Sequence, residues 1–322
     1  MTKQPLDIEP APDGQERTGV LPSAHEDQRH AGLDPETPQT RSPAYKLGFA
    51  DTDFLLRDEL RSARLQLEYL KPEILQRDRG ITSTVVIFGS ARIPDPAQAA
   101  SLLEEAERAA AEHPEDPEAV RRAKVVQALV KKARYYEEAR KLAQLISTPS
   151  QDEPSCPSRF DEKPRRRHKL VIVTGGGPGL MEAANRGACD VGADSVGLNI
   201  VLPFEQRPNA YVTPHLCFNF HYFALRKLHF MMRAKALVVF PGGYGTLDEL
   251  FEVICLKQTR KIKPMPVLLV GREYWERIID FPAMVEEGVI EPRDVDIFSY
   301  VESAEEAWRI LEPALNGHSR QR

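Results

Sequence analysis

The sequence has little of what marks a secreted, metal-clustered or membrane-spanning protein. Its 322 residues include only four cysteines, and no two of them form a CxxC pair. This spacing indicates neither a disulfide framework nor a structural zinc cluster, and it is typical of a reducing compartment. The first residues lack the apolar core of a secretory signal, and the apolar runs are far too short to cross a bilayer. We therefore expect a cytoplasmic protein that binds neither a membrane nor a metal.

Charge of one sign is not in excess either. The 43 basic and 48 acidic residues give a formal net charge of −5, which provides no overall attraction to nucleic acid or to anionic lipid. Hydrophobic residues make up 42% and charged residues 28%, values that are typical of a folded globular protein with a sizeable core. We expect a soluble protein with no nucleic-acid partner.

Composition divides the chain into three parts. Residues 1–42 are rich in Pro, Gln and charged residues and poor in aliphatic ones, which predicts a disordered tail. Residues 43–80 form a helical segment, and its apolar residues recur at spacings of three and four until Pro72, where we expect the helix to be interrupted. This face should pack on the main domain or across a dimer interface. Residues 81–322 form the main domain, and the apolar face of the helical segment comprises Leu56, Leu60, Ala63, Leu67 and Leu70.

The main domain contains five short β-rich runs that are nearly continuous in Val, Ile and Leu and are mostly separated by helical stretches. This pattern predicts a parallel sheet that is buried on both faces, in a doubly wound, Rossmann-like α/β fold. The predicted strands are Thr84–Phe88, Leu170–Thr174, Ser195–Val201, Ala236–Phe240 and Val267–Val270.

The connection between the first two strands is longer than one crossover helix requires. Residues 97–133 are rich in Ala, Glu, Arg and Lys and read as an inserted helical hairpin, which is broken at Pro114 and Pro117. Residues Arg134–Ile146 read as the ordinary crossover helix. Residues 147–167 are polar and interrupted by prolines, which predicts a flexible loop.

Glycine-rich loops follow three of the predicted strands. In an open parallel sheet, ligands bind beyond the carboxyl ends of the strands. Glycine lets the backbone approach an anion, and a helix that follows presents free N–H groups and a positive dipole end. We therefore predict a phosphate site. The three loops are Gly89–Ser90, Gly175–Met181 and Pro241–Thr246.

Neither of the two larger loops has a standard nucleotide signature. No Gly-Lys-Ser/Thr follows either of them, and Leu180 stands where G-x-G-x-x-G requires its third glycine. ATP hydrolysis and ordinary NAD binding therefore lose support. Asp194 lies at a suitable distance to accept a ribose hydroxyl, so dinucleotide binding stays open as a minor alternative.

Charged residues lie beside the predicted phosphate loop. Arg226 and Lys227 belong to a segment of helical period that leads into the fourth strand, and Asp248 and Glu249 lie in the first turns of the next helix. A carboxylate at a helix N-terminus is commonly only a favourable partner of the helix dipole. Because Glu249 and Arg226 converge on one phosphate loop, a catalytic pair is favoured.

At these residues the sequence resembles the LONELY GUY family of cytokinin riboside 5′-monophosphate phosphoribohydrolases, whose members have long been mislabelled as lysine decarboxylases. The PGGxGTxxE hallmark of the family corresponds to Pro241–Glu249, and the Arg-Lys helix precedes it. The resemblance extends over about residues 81–311 and includes the Gly175–Met181 loop. The N-terminal tail, the leading helix and the hairpin lie outside the compact family pattern.

The resemblance implies hydrolysis of the N-glycosidic bond of a nucleoside 5′-monophosphate, without a metal or an organic cofactor, in a homodimer or a higher homo-oligomer. It makes Arg226 and Glu249 the catalytic pair. Lys227 and Asp248 would border the nucleotide. The residues expected to bind substrate are Gly89, Ser90, Gly176, Gly177, Lys227, Gly242, Gly243, Tyr244, Gly245, Thr246 and Asp248.

The identity of the base stays open at this stage. The chain departs from compact members after Gly179 and in the loop that follows the third strand, and it resembles longer bacterial members, some of which act on nucleoside 5′-monophosphates in general. AMP, another purine or pyrimidine monophosphate and a prenylated adenine nucleotide are all compatible with it. Glu205, Gln206 and Asn209 could contact the base or the ribose, or belong to an ordinary polar loop.

Other functions fit the residues less well. Pyridoxal-dependent decarboxylation needs a Schiff-base lysine with supporting groups, and no such arrangement surrounds Lys227 or Lys235. His215, His221 and His229 lack the HExxH spacing of a zinc hydrolase. The serious rival is a carrier that binds a phosphorylated ligand through the same loops without cleaving it. Retention of both Arg226 and Glu249 favours hydrolysis over the carrier.

Overall fold

The computed structural model describes residues 23–32, 36–148, 155–156, 165–166, 170–203 and 207–317. Seven strands form one parallel sheet, and two short strands pair antiparallel to each other. In chain order the strands are β1 (Thr84–Phe88), β2 (Ser155–Cys156), β3 (Arg165–Arg166), β4 (Val171–Thr174), β5 (Ser195–Ile200), β6 (Cys217–Phe220), β7 (Ala234–Val239), β8 (Val267–Val270) and β9 (Ser299–Val301).

Helices connect these strands and precede the sheet. They are α1 (Ala24–Ala31), α2 (Thr52–Leu55), α3 (Arg61–Asp78), α4 (Pro96–Glu112), α5 (Pro117–Lys132), α6 (Arg134–Ser147), α7 (Leu180–Asp190), α8 (Phe223–Met232), α9 (Tyr244–Gln258), α10 (Arg272–Ile278), α11 (Phe281–Glu286) and α12 (Ala304–Gly317).

The strand order places a topological switch beside the central strand. The order is β6-β5-β4-β1-β7-β8-β9, and every neighbouring pair is parallel. After β1 the chain moves outward through β4, β5 and β6, whereas after β7 it moves the other way through β8 and β9. A crevice therefore opens between the carboxyl ends of β1 and β7, where ligands bind in folds of this kind.

Both faces of the sheet are covered, which explains the continuous apolar runs. On β1, Val85 and Ile87 belong to the core that contains α6, α7 and α12, whereas Val86 and Phe88 belong to the core that contains α8 and α9. Successive strand residues point to opposite faces, so two covered faces require apolar residues at every position. The predicted doubly wound α/β fold is confirmed.

All five predicted strands are present, two with the predicted ends and three with ends that shift by one or two residues. The prediction missed β6 and β9, which lie at the two edges of the sheet. Edge strands need no continuous apolar run, because part of their surface remains exposed. Asn219 in β6 is exposed, and β9 has only three residues. The segment predicted as a loop over 147–167 includes the small β2–β3 ladder.

The inserted hairpin has the expected form. Helix α4 has Asp95 as its N-cap, and α5 begins at Pro117 with Asp116 as its N-cap. Proline suits the first position of a helix because its missing N–H has no partner there. The crossover helix α6 then packs on the sheet, with Tyr136, Ala139 and Leu142 almost inaccessible to solvent.

The prediction for Pro72 is wrong, because this residue lies inside α3 and does not end it. Pro72 and Gln76 are buried, and Glu73 forms an ion pair with Arg233, at 2.7 Å between Oε1 and Nη2. These tertiary contacts hold the helix despite the backbone hydrogen bond that proline cannot make. The predicted apolar face remains largely outside the core, with Leu67 53% and Leu70 43% exposed.

The chain divides into two units, Met1–Arg64 and Leu65–Arg322. In the first unit, α1 lies within the segment predicted as a disordered tail, of which residues 1–22 and 33–35 are outside the described part. Ser23 and Glu26 form a reciprocal capping box at its start. A box of this kind satisfies two backbone donors and favours a helix despite the polar composition.

Candidate active site

The loops that follow β1, β4 and β7 meet at the switch point of the sheet. The Ser90 amide donates to the carbonyl of Pro241 at 3.0 Å, and the Leu180 amide donates to the carbonyl of Ser90 at 3.1 Å. The Ser90 hydroxyl accepts from the Arg92 amide at 3.0 Å. The structure thus brings together the three glycine-rich loops that the sequence singles out.

Close packing explains some of the glycines in these loops. Gly176 has a φ of +74°, and a Cβ added there would lie 2.5 Å from Asn199 Oδ1. A Cβ on Gly242 would overlap the side chain of Thr246. At Gly89 it would lie 2.7 Å from Leu180 Cδ1. These positions require glycine whether or not a ligand binds.

Packing does not explain two other glycines, Gly243 and Gly245. A Cβ at either would meet no protein atom within 4 Å, and neither has a positive φ. Gly243 is the N-cap of α9, and Thr246 is buried in the first turn of that helix. Open space therefore lies over the N-terminus of α9, where unpaired N–H groups and the helix dipole favour an anion.

Arg226 and Glu249 form a shielded ion pair next to these loops. Arg226 comes from α8 and Glu249 from α9, and the distance from Nη1 to Oε1 is 3.0 Å. Each side chain is only 11% exposed. The Nε of Arg226 donates to the carbonyl of Leu198 at 2.7 Å, and its Nη2 would lie 2.6 Å from a Cβ on Gly175. Its guanidinium therefore reaches from α8 across β5 to the loop after β4.

Burial changes the proton affinity of both partners. Burial raises the pKa of Glu249 to about 7, and the charge of Arg226 opposes this rise while that of Asp248 adds to it. Burial also lowers the pKa of Arg226, against the attraction of Glu249. A carboxyl group with a pKa near neutrality is suited to chemistry in which a proton or a positive charge is handled at physiological pH.

A second, more exposed set of charges borders this pair. The Nζ of Lys227 lies 2.6 Å from Asp248 Oδ1 and 3.4 Å from Glu252 Oε2. The Asp248 side chain is 55% exposed. Lys227 and Asp248 are thus more exposed than Arg226 and Glu249.

The family model described as "Possible lysine decarboxylase" matches residues 181–311. This range includes Arg226 and Glu249 and begins after the Gly175–Gly179 loop. The chain is 30% identical over 154 residues to cytokinin riboside 5′-monophosphate phosphoribohydrolase LOG3 of Arabidopsis thaliana, and the match covers 47% of this chain and 70% of that protein. The chain belongs to the LONELY GUY family.

Another relative and a solved structure illustrate how far the likeness extends. The chain is 32% identical over 142 residues to the probable cytokinin riboside 5′-monophosphate phosphoribohydrolase LOG4 of Oryza sativa subsp. japonica. This match covers 43% of this chain and 60% of the rice protein. A Moco carrier protein from Chlamydomonas reinhardtii superposes with a TM-score of 0.41 at 15% identity, over 73% of this chain and 99% of that one.

Two of the predicted substrate residues are placed unlike the others in this LONELY GUY protein. Tyr244 is 93% exposed at the start of α9. Asn209 is buried, and its Nδ2 lies within 3.1 Å of three acceptors, the carbonyls of Gly176 and Gly177 and Asn185 Oδ1. An amide nitrogen has two protons, so these acceptors already occupy it. Asn209 is thus better explained as a support of the loop. Glu205 and Gln206 lie outside the described residues.

A buried polar network under the glycine loop escaped the sequence analysis. The Thr174 hydroxyl accepts from the Gly176 amide at 2.9 Å and donates to Asn185 Oδ1 at 2.7 Å. The Nδ2 of Asn185 in turn donates to Ser195 Oγ at 3.0 Å. The polar Thr174 at the end of an apolar strand was the signal that could have indicated it.

Two further residues were missed because their partners are remote in sequence. Both carboxylate oxygens of Glu68 in α3 accept backbone N–H groups at the start of α8, from His221 at 2.8 Å and Tyr222 at 3.2 Å. The Tyr274 hydroxyl in α10 donates to the carbonyl of Gly242 at 2.6 Å. Glu68 thereby supports the helix that carries Arg226, and Tyr274 supports the loop that precedes α9.

The described residues contain neither a cluster of metal ligands nor a membrane-spanning helix. Among them, no group of three or more His, Cys, Asp and Glu side chains could hold a metal ion. None of the helices in that part of the chain is long and apolar enough to cross a membrane.

Proposed function

We propose that this protein hydrolyses the N-glycosidic bond of a nucleoside 5′-monophosphate and releases a free base and ribose 5-phosphate. The observation that carries the proposal is the shielded Arg226–Glu249 pair, 3.0 Å apart, beside the open backbone at Gly243 and Gly245. A charged pair and an anion site next to each other supply the two functions that this reaction requires.

The reaction separates charge within the substrate. As the bond from C1′ to the base nitrogen breaks, positive charge develops on the ribose and negative charge on the departing base. Water adds its hydroxyl to C1′, and its proton neutralises the base. Glu249, as carboxylate, would face the sugar cation and orient or deprotonate the water, while Arg226 would offset the negative charge of the base or of the phosphate.

The 5′-phosphate would bind at the N-terminus of α9. The uncovered backbone at Gly243 and Gly245 lets phosphate oxygens approach the free N–H groups, and Thr246 in the same turn offers a hydroxyl. Phosphate binding would hold C1′ at a fixed distance from Glu249, which lies one turn further along the same helix. This arrangement uses the binding energy of the phosphate to position the reacting bond.

The proposal specifies a nucleoside 5′-monophosphate without specifying its base. The relatives named above act on cytokinin riboside 5′-monophosphates by their names, which supports an adenine-type base. We propose AMP and its N6-substituted derivatives as the first substrates to test, and GMP, CMP and UMP as the comparison set.

We also propose that the protein forms a homodimer through α3 and α8. Glu68 of α3 contacts the start of α8, and both helices carry exposed apolar side chains, Leu67 and Leu70 on α3 and Phe223, which is 52% exposed, on α8. Neighbouring exposed apolar residues are typical of a protein interface. Light scattering should give a dimer mass for the wild type and a monomer mass for Leu70→Glu. Leu56→Glu, in the other unit, is the control and should keep the dimer mass. A monomeric wild type would contradict the proposed dimer.

A product-release assay tests the proposed activity. Purified protein is incubated with AMP, GMP, CMP, UMP or isopentenyladenosine monophosphate, and free base and ribose 5-phosphate are both quantified. Glu252→Gln is a matched control for Glu249→Gln, because Glu252 lies one turn along α9 and, among the described residues, forms its ion pair with Lys227 and none with Arg226. We expect release by the wild type and by Glu252→Gln, and almost none by Glu249→Gln.

The same assay separates hydrolysis from the carrier alternative. Equimolar base and ribose 5-phosphate establish hydrolysis. Tight binding of a nucleotide that is recovered intact would instead establish a carrier that uses the same loops. A release rate that is equal for Glu249→Gln and the wild type would remove Glu249 from the mechanism.

A further inference from the structure

A cleft with a strongly cationic lining lies between α5 of the inserted hairpin and α10. It has a volume of about 790 Å³ and is lined by residues of α5, by the start of α6 and by α10. This cleft is built in part from the hairpin, for which the proposed nucleotide chemistry has no use. Its charged lining residues are Lys124, Lys131, Lys132, Arg134, Glu273 and Arg277.

Five cationic side chains and one acidic side chain line this cleft. Of the ion pairs formed among the described residues, none includes Lys124, Lys131, Lys132 or Arg277. Arg134 has an exposed partner, Glu302, at 3.5 Å. Like charges that converge on one cleft with fewer counterions than cations repel each other, so a bound anion would relieve this repulsion.

The shifted pKa of Lys132 agrees with an excess of positive charge in the cleft. Burial lowers the pKa of Lys132, and the positive charge of Arg277 across the cleft lowers it further, against the attraction of Glu273. The only hydrogen-bond acceptor that its ammonium meets among the described residues is the carbonyl of Ala128, at 3.0 Å. Two proton donors of its ammonium therefore remain available to a ligand.

We propose that this cleft binds a small anion that carries two or more phosphate groups. Lysines on α5 and an arginine on α10 approach it from opposite walls, so neighbouring phosphates can be contacted at the same time. Its volume is in the range of small-molecule sites and would also accommodate a nucleoside attached to those phosphates. The half-buried ring of Tyr274 lines the same cleft and provides a surface for a base.

The cleft is connected to the proposed nucleotide site by direct contacts. Tyr274 lines the cleft, and its hydroxyl donates to the carbonyl of Gly242 in the loop that precedes α9. Tyr135 lines it as well and packs edge-to-face on Phe240, with ring centroids 6.4 Å apart. A ligand in the cleft therefore regulates the proposed nucleotide site by fixing this loop, and this part of the inference rests on the proposed function.

Calorimetric titration of the full chain with inorganic tripolyphosphate tests the binding site. We expect one bound anion per chain, with affinity that falls as ionic strength rises. Lys131→Glu and Arg277→Glu should each weaken binding at least about tenfold, since each replaces an attractive charge by a repulsive one. Arg122→Glu, on the same helix α5 but outside the cleft, is matched in charge change and should retain wild-type affinity.

Parallel titrations identify the source of the phosphates. ATP that binds as tightly as tripolyphosphate indicates recognition of the phosphates alone, whereas tighter binding of ATP indicates that the Tyr274 ring also contacts a base. Tighter binding of a single-stranded oligonucleotide than of either ligand would overturn the proposal in favour of a nucleic-acid surface. Absence of tripolyphosphate binding at millimolar concentration, or equal loss in Arg122→Glu, would also overturn it.

The two sites are distinguished by their variants. Lys131→Glu should keep the affinity for AMP, and Glu249→Gln should keep the affinity for tripolyphosphate. Tyr274→Phe should still bind tripolyphosphate but should lose any effect of that anion on AMP affinity. If tripolyphosphate binds to the cleft and no nucleotide is hydrolysed, the proposed function fails and the cleft stands; if AMP is hydrolysed and no anion binds, the reverse holds.

Discussion

The Arg226 guanidinium contacts the Glu249 carboxylate at 3.0 Å, and the two side chains come from helices that lie on either side of β7 in the sequence. Both are shielded from water, and this burial raises the pKa of Glu249 to about 7 although the charge of Arg226 opposes the rise. Two oppositely charged groups are thus held close together at a cost in solvation, next to a helix N-terminus with open space above it. Such an arrangement is more typical of a chemical site than of a stabilising ion pair.

The rate of base release should depend on the ionisation of Glu249. Since the carboxylate is the form that stabilises a sugar cation, kcat should rise with pH and reach half its maximum near pH 7. Asp248→Asn should move this rise to lower pH, because the charge of Asp248 raises the pKa of Glu249. Lys227→Met should move it to higher pH, because the Lys227 charge lowers that pKa. Profiles of kcat against pH for the three proteins measure these shifts; identical profiles would exclude Glu249 as the titrating group.

Glu249 should also make the folded state sensitive to pH. Its pKa is raised from 4.5 to about 7 by folding, so the folded state holds this proton over a pH range in which the unfolded chain releases it. The stability that the retained proton contributes is complete below pH 4.5 and is lost as pH rises through 7. Relative to the wild type, Glu249→Gln should therefore gain about 3 kcal/mol in free energy of unfolding between pH 4.5 and pH 8. Urea denaturation at several pH values measures this gain, and a constant difference would contradict it.

The two neighbouring glycines Gly242 and Gly243 should respond differently to alanine. Gly242→Ala should destabilise the fold, because its Cβ would overlap Thr246. Gly243→Ala should change stability by less than about 0.5 kcal/mol, since its Cβ would meet no protein atom within 4 Å. If phosphate approaches the backbone at Gly243, that variant should nonetheless raise KM for AMP. Thermal denaturation and steady-state kinetics separate the two effects, and an unchanged KM would place the phosphate elsewhere.

Asn209 should behave as a support of the glycine loop. Asn209→Ala removes the side-chain hydrogen bonds to the carbonyls of Gly176 and Gly177, which should cost about 1–3 kcal/mol of stability; the Gly176 carbonyl keeps the backbone amide of residue 209, whereas the buried Gly177 carbonyl loses its donor. The loss of affinity should be similar for AMP and CMP, because the loop supports the site without contacting the base. A selective loss for one base would restore Asn209 as a residue that reads the base.

The sequence predicts this fold well where one segment carries its own signal. The runs from Thr84 to Phe88 and from Val267 to Val270 are apolar at every position because both faces of a central strand are covered. The edge strands β6 and β9 are absent from the prediction, because an edge strand needs no such run. The persistence of α3 through Pro72 was equally hidden, since it depends on contacts such as that of Glu73 with Arg233, 160 residues away.

The candidate site shows the same distinction between local and remote information. Gly243, Arg226 and Glu249 belong to motifs that can be read along the chain. The roles of Glu68, Asn185 and Tyr274 arise only when remote segments meet, and no local pattern marks them. The role of Asn209 stayed open between a ligand contact and an ordinary polar loop, because a polar residue in a loop gives the same signal whether it contacts a ligand or the backbone.

The most direct test of the account is single-turnover hydrolysis of AMP by Glu249→Gln, combined with a titration of its AMP affinity. The account predicts affinity within a few fold of the wild type and a rate of base release that is lower by about 10²–10³-fold, the loss typical of a missing electrostatic contact to a transition state. Release at the wild-type rate, with the same affinity, would contradict the central claim that the Arg226–Glu249 pair performs the chemistry.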